Sequence, residues 1–200
     1  VELRTHKINL EGVSPRRTRI RLRPLTKNDW DLLFKWNNDP EVLYYAEEDD
    51  IPSYTLEGIK HLYCSVCANA YCFIIEADGM PIGECWLQEM NLERVLKGYP
   101  NMDIRRIDLA IGEKDQWNKG IGTTVIKMLT DYGFVQENAD MIYEPGIADY
   151  NQRSLKAFQN AGFEITAMFE AEPGGKAQFL VDLVLTRDRF QGRKEAPTWD

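Results

Sequence analysis

A chain of 200 residues with 44% hydrophobic side chains can bury one substantial core, and no Pro/Gly/Ser-rich linker interrupts its middle. Twenty-four basic against 32 acidic side chains give a net charge of −8, which disfavours a nucleic-acid partner and favours a cationic one. No apolar run approaches the ~18 residues of a membrane span and the charged stretch Val1 to Arg23 has no secretion-type apolar segment, so a cytoplasmic protein engaging no membrane is expected.

In chain order, Arg19 to Leu25 reads as a first strand, and Thr26 is placed to cap a helix that starts near Lys27 with Trp30, Leu33, Phe34 and Trp36 at helical spacing. The acidic run Glu47-Glu-Asp-Asp50 reads as solvated loop or as a lip that attracts cations. Thr55 to Ala68 is a second helix, with Leu56, Ile59, Leu62, Tyr63 and Val66 along one stripe. Tyr71 to Ala77 and Met80 to Met90 make a hairpin, because Asp78-Gly79 supplies the positive φ angles of a tight turn. Strand Ile104 to Ile111 leads into a helix from Gly122 that carries Val125, Met128, Leu129 and Tyr132 on one face, and Met141 to Tyr143 is a fifth strand. Asn151 caps a short helix through Leu155 and Phe158 that stops at Gly162, and Phe163 to Phe169 with Ala177 to Arg187 closes a hairpin around Pro173-Gly-Gly175. The order is mixed α/β of the α+β kind: residues 1–18 are an N-terminal extension, 19–187 one domain, and 188–200 a loose tail.

Cys64, Cys67, Cys72 and Cys85 fall in expected helix and strand among apolar neighbours. Cys64-x-x-Cys67 has no second pair beside it, so neither a disulfide framework nor a metal site is expected.

The stretch from Ile107 to Thr123 runs from an apolar strand through a turn bearing Lys119, Gly120 and Gly122 into an amphipathic helix. Those glycines let backbone N–H groups approach an anion, the helix start presents unpaired N–H groups and a positive dipole end, and Lys119 adds a full charge. The end of the strand, Leu109 to Ile111, can pair with an extended amide-containing ligand, so strand and helix together suit a pantetheine joined to a pyrophosphate, as in acetyl-CoA. Lys114, Lys119, Arg153 and Lys156 cluster around this cradle to meet its phosphates. A P-loop would place its lysine after the second glycine, whereas Lys119 precedes Gly120, and a dinucleotide fingerprint would need glycine where Val125 stands. A plain structural turn is the remaining alternative.

Trp117-Asn-Lys-Gly-Ile-Gly122 resembles the Arg/Gln-x-x-Gly-x-Gly/Ala signature of the Gcn5-related N-acetyltransferase (GNAT) family, and Asn151 to Phe163 resembles that family's second acyl-CoA segment. Tyr54-Thr-Leu-Glu57, Met80-Pro-Ile-Gly83, Ile107-Asp108, Gln116 to Thr123 and Glu144-Pro145 are similar to the aminoglycoside 6'-N-acetyltransferases within it. Trp117 departs from the usual Arg or Gln, a variant found in the branch holding aminoglycoside and ribosomal-protein acetyltransferases. The resemblance spans Arg19 to Arg187 and implies the GNAT acyl-CoA N-acyltransferase fold, a mixed central sheet of about seven strands flanked by about four helices. It implies acetyl-CoA as cofactor, a small-molecule primary amine as acceptor, and a monomer or homodimer. Cofactor contacts would come from Leu109, Ile111, Gln116, Trp117, Asn118, Lys119, Gly120, Ile121, Gly122, Thr123, Asn151, Ser154 and Phe158. Many members carry at position 158 a tyrosine thought to protonate the departing thiolate; Phe158 has no proton to give, so solvent or another donor would serve.

Acetyl transfer to an amine needs the amine neutral, the acetyl carbonyl beside it, and stabilised charge at that carbonyl. Strand alternation puts Ile107, Leu109 and Ile111 on one face and Asp108 on the other. The resemblance makes Asp108 the group that orients the acceptor ammonium and takes its proton, directly or through water; the plainer reading is a salt bridge to Arg105 or Arg106. Acceptor contacts are expected from Glu144 by resemblance, from Asp182, Glu84 and Trp86, and from Tyr44 and Tyr45; Glu84 and Trp86 read equally as core. Leu109 departs from the glutamine common in the aminoglycoside enzymes. Ribosomal-protein N-terminal acetylation, siderophore-type lysine or ornithine acylation, which would want histidine at position 108, and a non-catalytic acyl-CoA-binding protein remain as alternatives.

Overall fold

A computed structural model describes residues 2–46 and 53–195, and the acidic run Glu47 to Asp50 lies outside the described residues. β1 (Leu10–Val13) pairs with β2 (Arg19–Pro24), in which exposed Arg19 and Arg21 alternate with buried Ile20 and Leu22. Thr26 caps as expected: its hydroxyl accepts from the Asn28 N–H while the Asp29 carboxylate accepts from the Thr26 N–H at 2.8 Å, and a 3-10 turn leads into α1 (Trp30–Trp36). α2 (Pro40–Ala46) follows, then α3 (Leu56–Val66), capped by Thr55. β3 (Ala70–Ala77) and β4 (Met80–Glu89) form the expected hairpin, with Asp78 and Gly79 at φ 49° and 84°. Then come α4 (Glu93–Gly98), β5 (Ile104–Ile111), α5 (Ile121–Val135), β6 (Met141–Ala148), α6 (Gln152–Asn160), β7 (Glu164–Glu170), β8 (Phe179–Thr186) and α7 (Arg187–Glu195).

The strands form one eight-stranded sheet in the order β1-β2-β3-β4-β5-β6-β8-β7. Every neighbouring pair is antiparallel except β5 and β6, which pair only over Ile104 to Arg106 against Met141 to Tyr143. Past Arg106, β5 keeps β4 on one side and among the described residues has no strand partner on the other, so the sheet opens into a wedge. One face is packed by α5 and α6 through Val125, Ile126, Leu129 and Phe158 against Ile107; Trp36 of α1 and Ile59 and Tyr63 of α3 cover Ile74 on the other. Among the described residues no helix is long and apolar enough to cross a membrane.

Four elements go beyond the sequence expectation. β1 adds an eighth strand within residues 1–18, and α2 and α4 are short helices without a long apolar stripe. α7 forms where a loose tail is expected from sequence, because its one apolar anchor, Phe190, is buried and stacks on Phe134 at 4.6 Å.

The open end of the wedge is braced by Asp182 of β8. Its carboxylate, fully buried, accepts from both terminal nitrogens of Arg94, from the Tyr143 hydroxyl at 2.6 Å and from the Gly146 N–H at 2.8 Å, where β6 bulges between Glu144 and Ile147. Asp182→Ala leaves a buried N–H and hydroxyl without an acceptor, while half-exposed Arg94 can rehydrate, so a loss of about 2–3 kcal/mol is expected in urea unfolding.

Candidate active site

The wedge holds a groove of about 550 Å³. Leu109, Ala110 and Ile111 form one wall and Asn151, Ser154 and Ala157 of α6 the other; the turn Gln116 to Asn118 and the first residues of α5 close its end. Gly120 is the N-cap of α5 in the left-handed region, φ 78°, and no side chain caps the helix there. The leading N–H groups of α5, at Ile121, Gly122 and Thr123, therefore stand at the groove with the positive end of the helix dipole. The two glycines have separate reasons. Gly120 is required by its backbone angle, whereas a Cβ on Gly122 would meet only Leu109 Cδ1, at an ordinary 3.7 Å, and Ala157 Cβ, at 4.0 Å. Nothing among the described residues demands a bare backbone at position 122, and its absence of a side chain leaves the helix start open to close approach from the groove.

The turn is held from two sides. Trp117 Nε1 donates to the Ile111 carbonyl at 2.7 Å, and Trp36 Nε1 donates to the Glu113 carboxylate at 2.8 Å. Burial alone would raise the Glu113 carboxyl, but hydrogen bonds from Lys35 and Trp36 outweigh it and hold the group below its ordinary range. Asn151 caps α6, accepting from the Ser154 N–H at 3.2 Å, and donates to the Tyr45 carbonyl at 3.1 Å.

Most of the residues expected at the cofactor line this groove: Leu109, Ile111, Gln116, Trp117, Asn118, Gly120, Ile121, Gly122, Thr123, Asn151 and Ser154. Two expectations are corrected. Phe158 is 1% exposed and packs edge-on to Phe163 at 5.0 Å, so it belongs to the core. Lys119 is not part of the lining; its ammonium donates to Gln116 Oε1 at 3.2 Å. Lys114 pairs with Asp39 at 2.9 Å and Glu41 at 3.4 Å, which leaves Arg153 and Lys156 as the cations in the lining. The groove also takes Val42, Tyr45 and Ala46 from α2, a helix that the sequence pattern does not announce through any long apolar stripe. Its signal lies in Asp39-Pro40-Glu41, an N-cap carboxylate accepting from the Glu41 N–H at 2.9 Å before a proline at the first helical position.

On the other face of the β4–β5 pair, register sets Trp86 opposite Asp108 and Glu84 opposite Ala110. The Asp108 side chain is 42% exposed and lies 3.9 Å from Arg106 Nη2, while Arg105 lies against Asp103 at 3.0 Å. Glu84 is buried, and burial pushes its carboxyl well above the usual range; the nearby Asp108 charge pushes the same way, against a hydrogen bond from Tyr63. Glu144 is also raised well above that range, by burial and by Asp108, with Arg106 opposing. One oxygen of each glutamate and the Trp86 indole nitrogen are buried without a hydrogen-bond partner among the described residues. Native interiors rarely leave such groups unmatched, so each calls for ordered water or a polar ligand as its partner.

Asp182 and Tyr45 are engaged elsewhere, while Tyr44 stands at the surface. Asp182 has both oxygens doubly occupied within the scaffold. Tyr45 faces the cofactor groove, against Trp117 at 6.0 Å. Tyr44 is 45% exposed, with the Lys176 ammonium 5.2 Å from its ring.

Substitutions at the two glycines separate their roles. Gly122→Ala should preserve the melting temperature and weaken coenzyme A binding in calorimetry, whereas Gly120→Ala should cost about 1 kcal/mol of stability as well. Undiminished coenzyme A affinity in Gly122→Ala would remove the cradle assignment.

Comparison with known proteins agrees with this geometry. The chain is 25% identical over 178 residues to the aminoglycoside N(6')-acetyltransferase type 1 of Klebsiella pneumoniae, covering 86% of this chain and 85% of that one. A structure of AAC(6')-Ib in complex with ribostamycin and coenzyme A matches with a TM-score of 0.69 at 24% identity, over 86% of this chain and 96% of the other. The spermidine N-acetyltransferase of Vibrio cholerae, in complex with coenzyme A and spermine, matches with a TM-score of 0.70 at 21% identity, over 86% and 98%. The family model described as the acetyltransferase (GNAT) domain matches residues 19–164, and with the acyl-CoA groove it spans, the chain belongs to the GNAT family of acetyl-CoA-dependent acetyltransferases.

Proposed function

We propose that this chain transfers acetyl from acetyl-CoA to a primary amine of a small polycationic acceptor, the 6'-amino group of an aminoglycoside, by direct attack with both substrates bound. The observation that carries this reading is the group of three carboxyls, Glu84 of β4, Asp108 of β5 and Glu144 of β6, in which both glutamates lie within the field of Asp108 and each keeps a buried oxygen unmatched among the described residues. An acceptor rich in ammonium and hydroxyl groups supplies donors for the unmatched oxygens and positive charge beyond that of Arg106, which faces three carboxyls. Relatives with aminoglycoside and spermidine in their names support a cationic acceptor.

When bound, acetyl-CoA supplies an activated thioester carbonyl and a thiolate that leaves with little help, since its conjugate acid is already fairly acidic. N–H groups along the open edge of β5 are available to polarise that carbonyl. Asp108, half-exposed at the mouth, orients the acceptor ammonium and takes its proton directly or through water. Phe158, sealed in the core, contributes no proton.

The acceptor is tested by mass spectrometry of products from a 6'-amino aminoglycoside, its 6'-hydroxy analogue, spermine and a ribosomal peptide. One added acetyl is expected on the first and none on the second. Acetylation of spermine or of the peptide alone would move the acceptor to a linear polyamine or to a protein N-terminus.

Asp108→Asn keeps shape and removes charge. It should retain coenzyme A affinity and lose about a hundredfold in turnover, part of it recovered at higher pH where more amine arrives neutral. Retained turnover with a lower melting temperature would make Asp108 a structural partner of Arg106.

The raised carboxyls give a pH signature. Folding raises the affinity of Glu84 and Glu144 for protons, so their contribution to stability is full below the ordinary carboxylate range and declines as pH rises through the higher folded values. Glu84→Gln should therefore flatten the fall of the melting temperature with rising pH. An acceptor cation favours the ionised forms, so its binding should release protons, seen as different calorimetric heats in buffers of different ionisation enthalpy. Equal observed heats in all buffers, meaning no net proton release, would count against these carboxyls as acceptor contacts.

A further inference from the structure

We propose that Arg153 binds a phosphate of the acetyl-CoA carrier, replacing from α6 the side-chain donor, Arg or Gln, that the turn motif of this family carries at position 117. Trp117 stands where that motif carries Arg or Gln, and its single donor, the indole N–H, is already given to the Ile111 carbonyl at 2.7 Å. It has nothing to offer an anion.

The Trp117 ring instead forms one face of a slot. The Arg153 guanidinium carbon lies 3.8 Å from its centroid and 4.1 Å from that of Tyr45, and the two rings meet edge to face, 88° apart. With the rings 88° apart the guanidinium can lie parallel to only one of them, but neither ring takes up its outer edge, whose N–H donors remain for the bidentate geometry that phosphate accepts. The slot is fixed from below by Asn151, which donates to the Tyr45 carbonyl, and by the Trp117 bond to β5.

Position agrees with this role. Arg153 is half-buried and lines the same groove as Asn118, Gly120 and Gly122, where the uncapped start of α5 already favours an anion. Lys114, by contrast, is neutralised by Asp39 and Glu41, and Lys119 lies outside the lining. No carboxylate among the described residues forms an ion pair with Arg153, so none of them competes with a phosphate for it. In a chain of net charge −8 such a local cation is needed to draw in a polyanionic carrier.

The test is calorimetric binding of coenzyme A, dephospho-coenzyme A and pantetheine to the full chain at two salt concentrations, which requires no knowledge of the acceptor. Arg153→Ala should weaken coenzyme A binding roughly tenfold or more, reduce its salt dependence, and leave pantetheine binding unchanged. A loss equal for coenzyme A and dephospho-coenzyme A assigns the contact to the pyrophosphate; a loss confined to coenzyme A assigns it to the 3'-phosphate. Adding Trp117→Arg to Arg153→Ala should restore much of the affinity by returning the guanidinium to the turn. The proposal is overturned if Arg153→Ala binds coenzyme A as tightly as the parent, or if pantetheine binding falls by the same factor, because Arg153 is then only a strap between α2 and the turn.

Discussion

Everything at the candidate site depends on the parting of β5 from β6 after Arg106. A sheet that stayed paired would satisfy the β5 edge internally and leave no groove. Here β6 turns to β8 instead, through a bulge between Glu144 and Ile147, and β5 is left with an open backbone edge beside α6. The buried Asp182 carboxylate holds that departure by gathering Arg94, Tyr143 and Gly146. A buried carboxylate of this kind is a structural keystone because each lone pair has a donor, and for the same reason it has no affinity left for a substrate.

The two faces of the wedge handle opposite charges. On the cofactor side, helix N–H groups and a stacked guanidinium offer positive character within an acidic chain. On the opposite face, Glu84 is buried and Glu144 part-buried near Asp108, and desolvation together with the repulsion of that charge favours their protonation. Net charge therefore says little about either site; local geometry arranges both.

α2 connects them. Its Tyr45 backbone carbonyl accepts from Asn151 and its ring closes the slot around Arg153, while Asp39 and Glu41 at its start hold Lys114 on the glycine-bearing turn. The helix lies across the wedge, in contact with the cofactor turn and with α6.

The turn chemistry, caps and principal apolar stripes are legible in the amino-acid order, because they are local: Thr26, Asn151, Asp78-Gly79 and the Trp117 to Gly122 motif act on residues within a few positions of themselves. The same locality makes the acyl-CoA groove readable from the order of residues alone, and strand alternation isolates Asp108 from its apolar neighbours. Tertiary structure alone decided what each side chain faces. Asp182 and Glu84 are both acids on strands, yet one is saturated by an arginine, a tyrosine and a bulge, and the other keeps an unmatched oxygen. Phe158 and Ser154 share one helix but are divided between core and groove. β1 and α7 were hidden because a short edge strand and a helix with one buried anchor acquire stability only from contacts distant in sequence, and no local pattern records those.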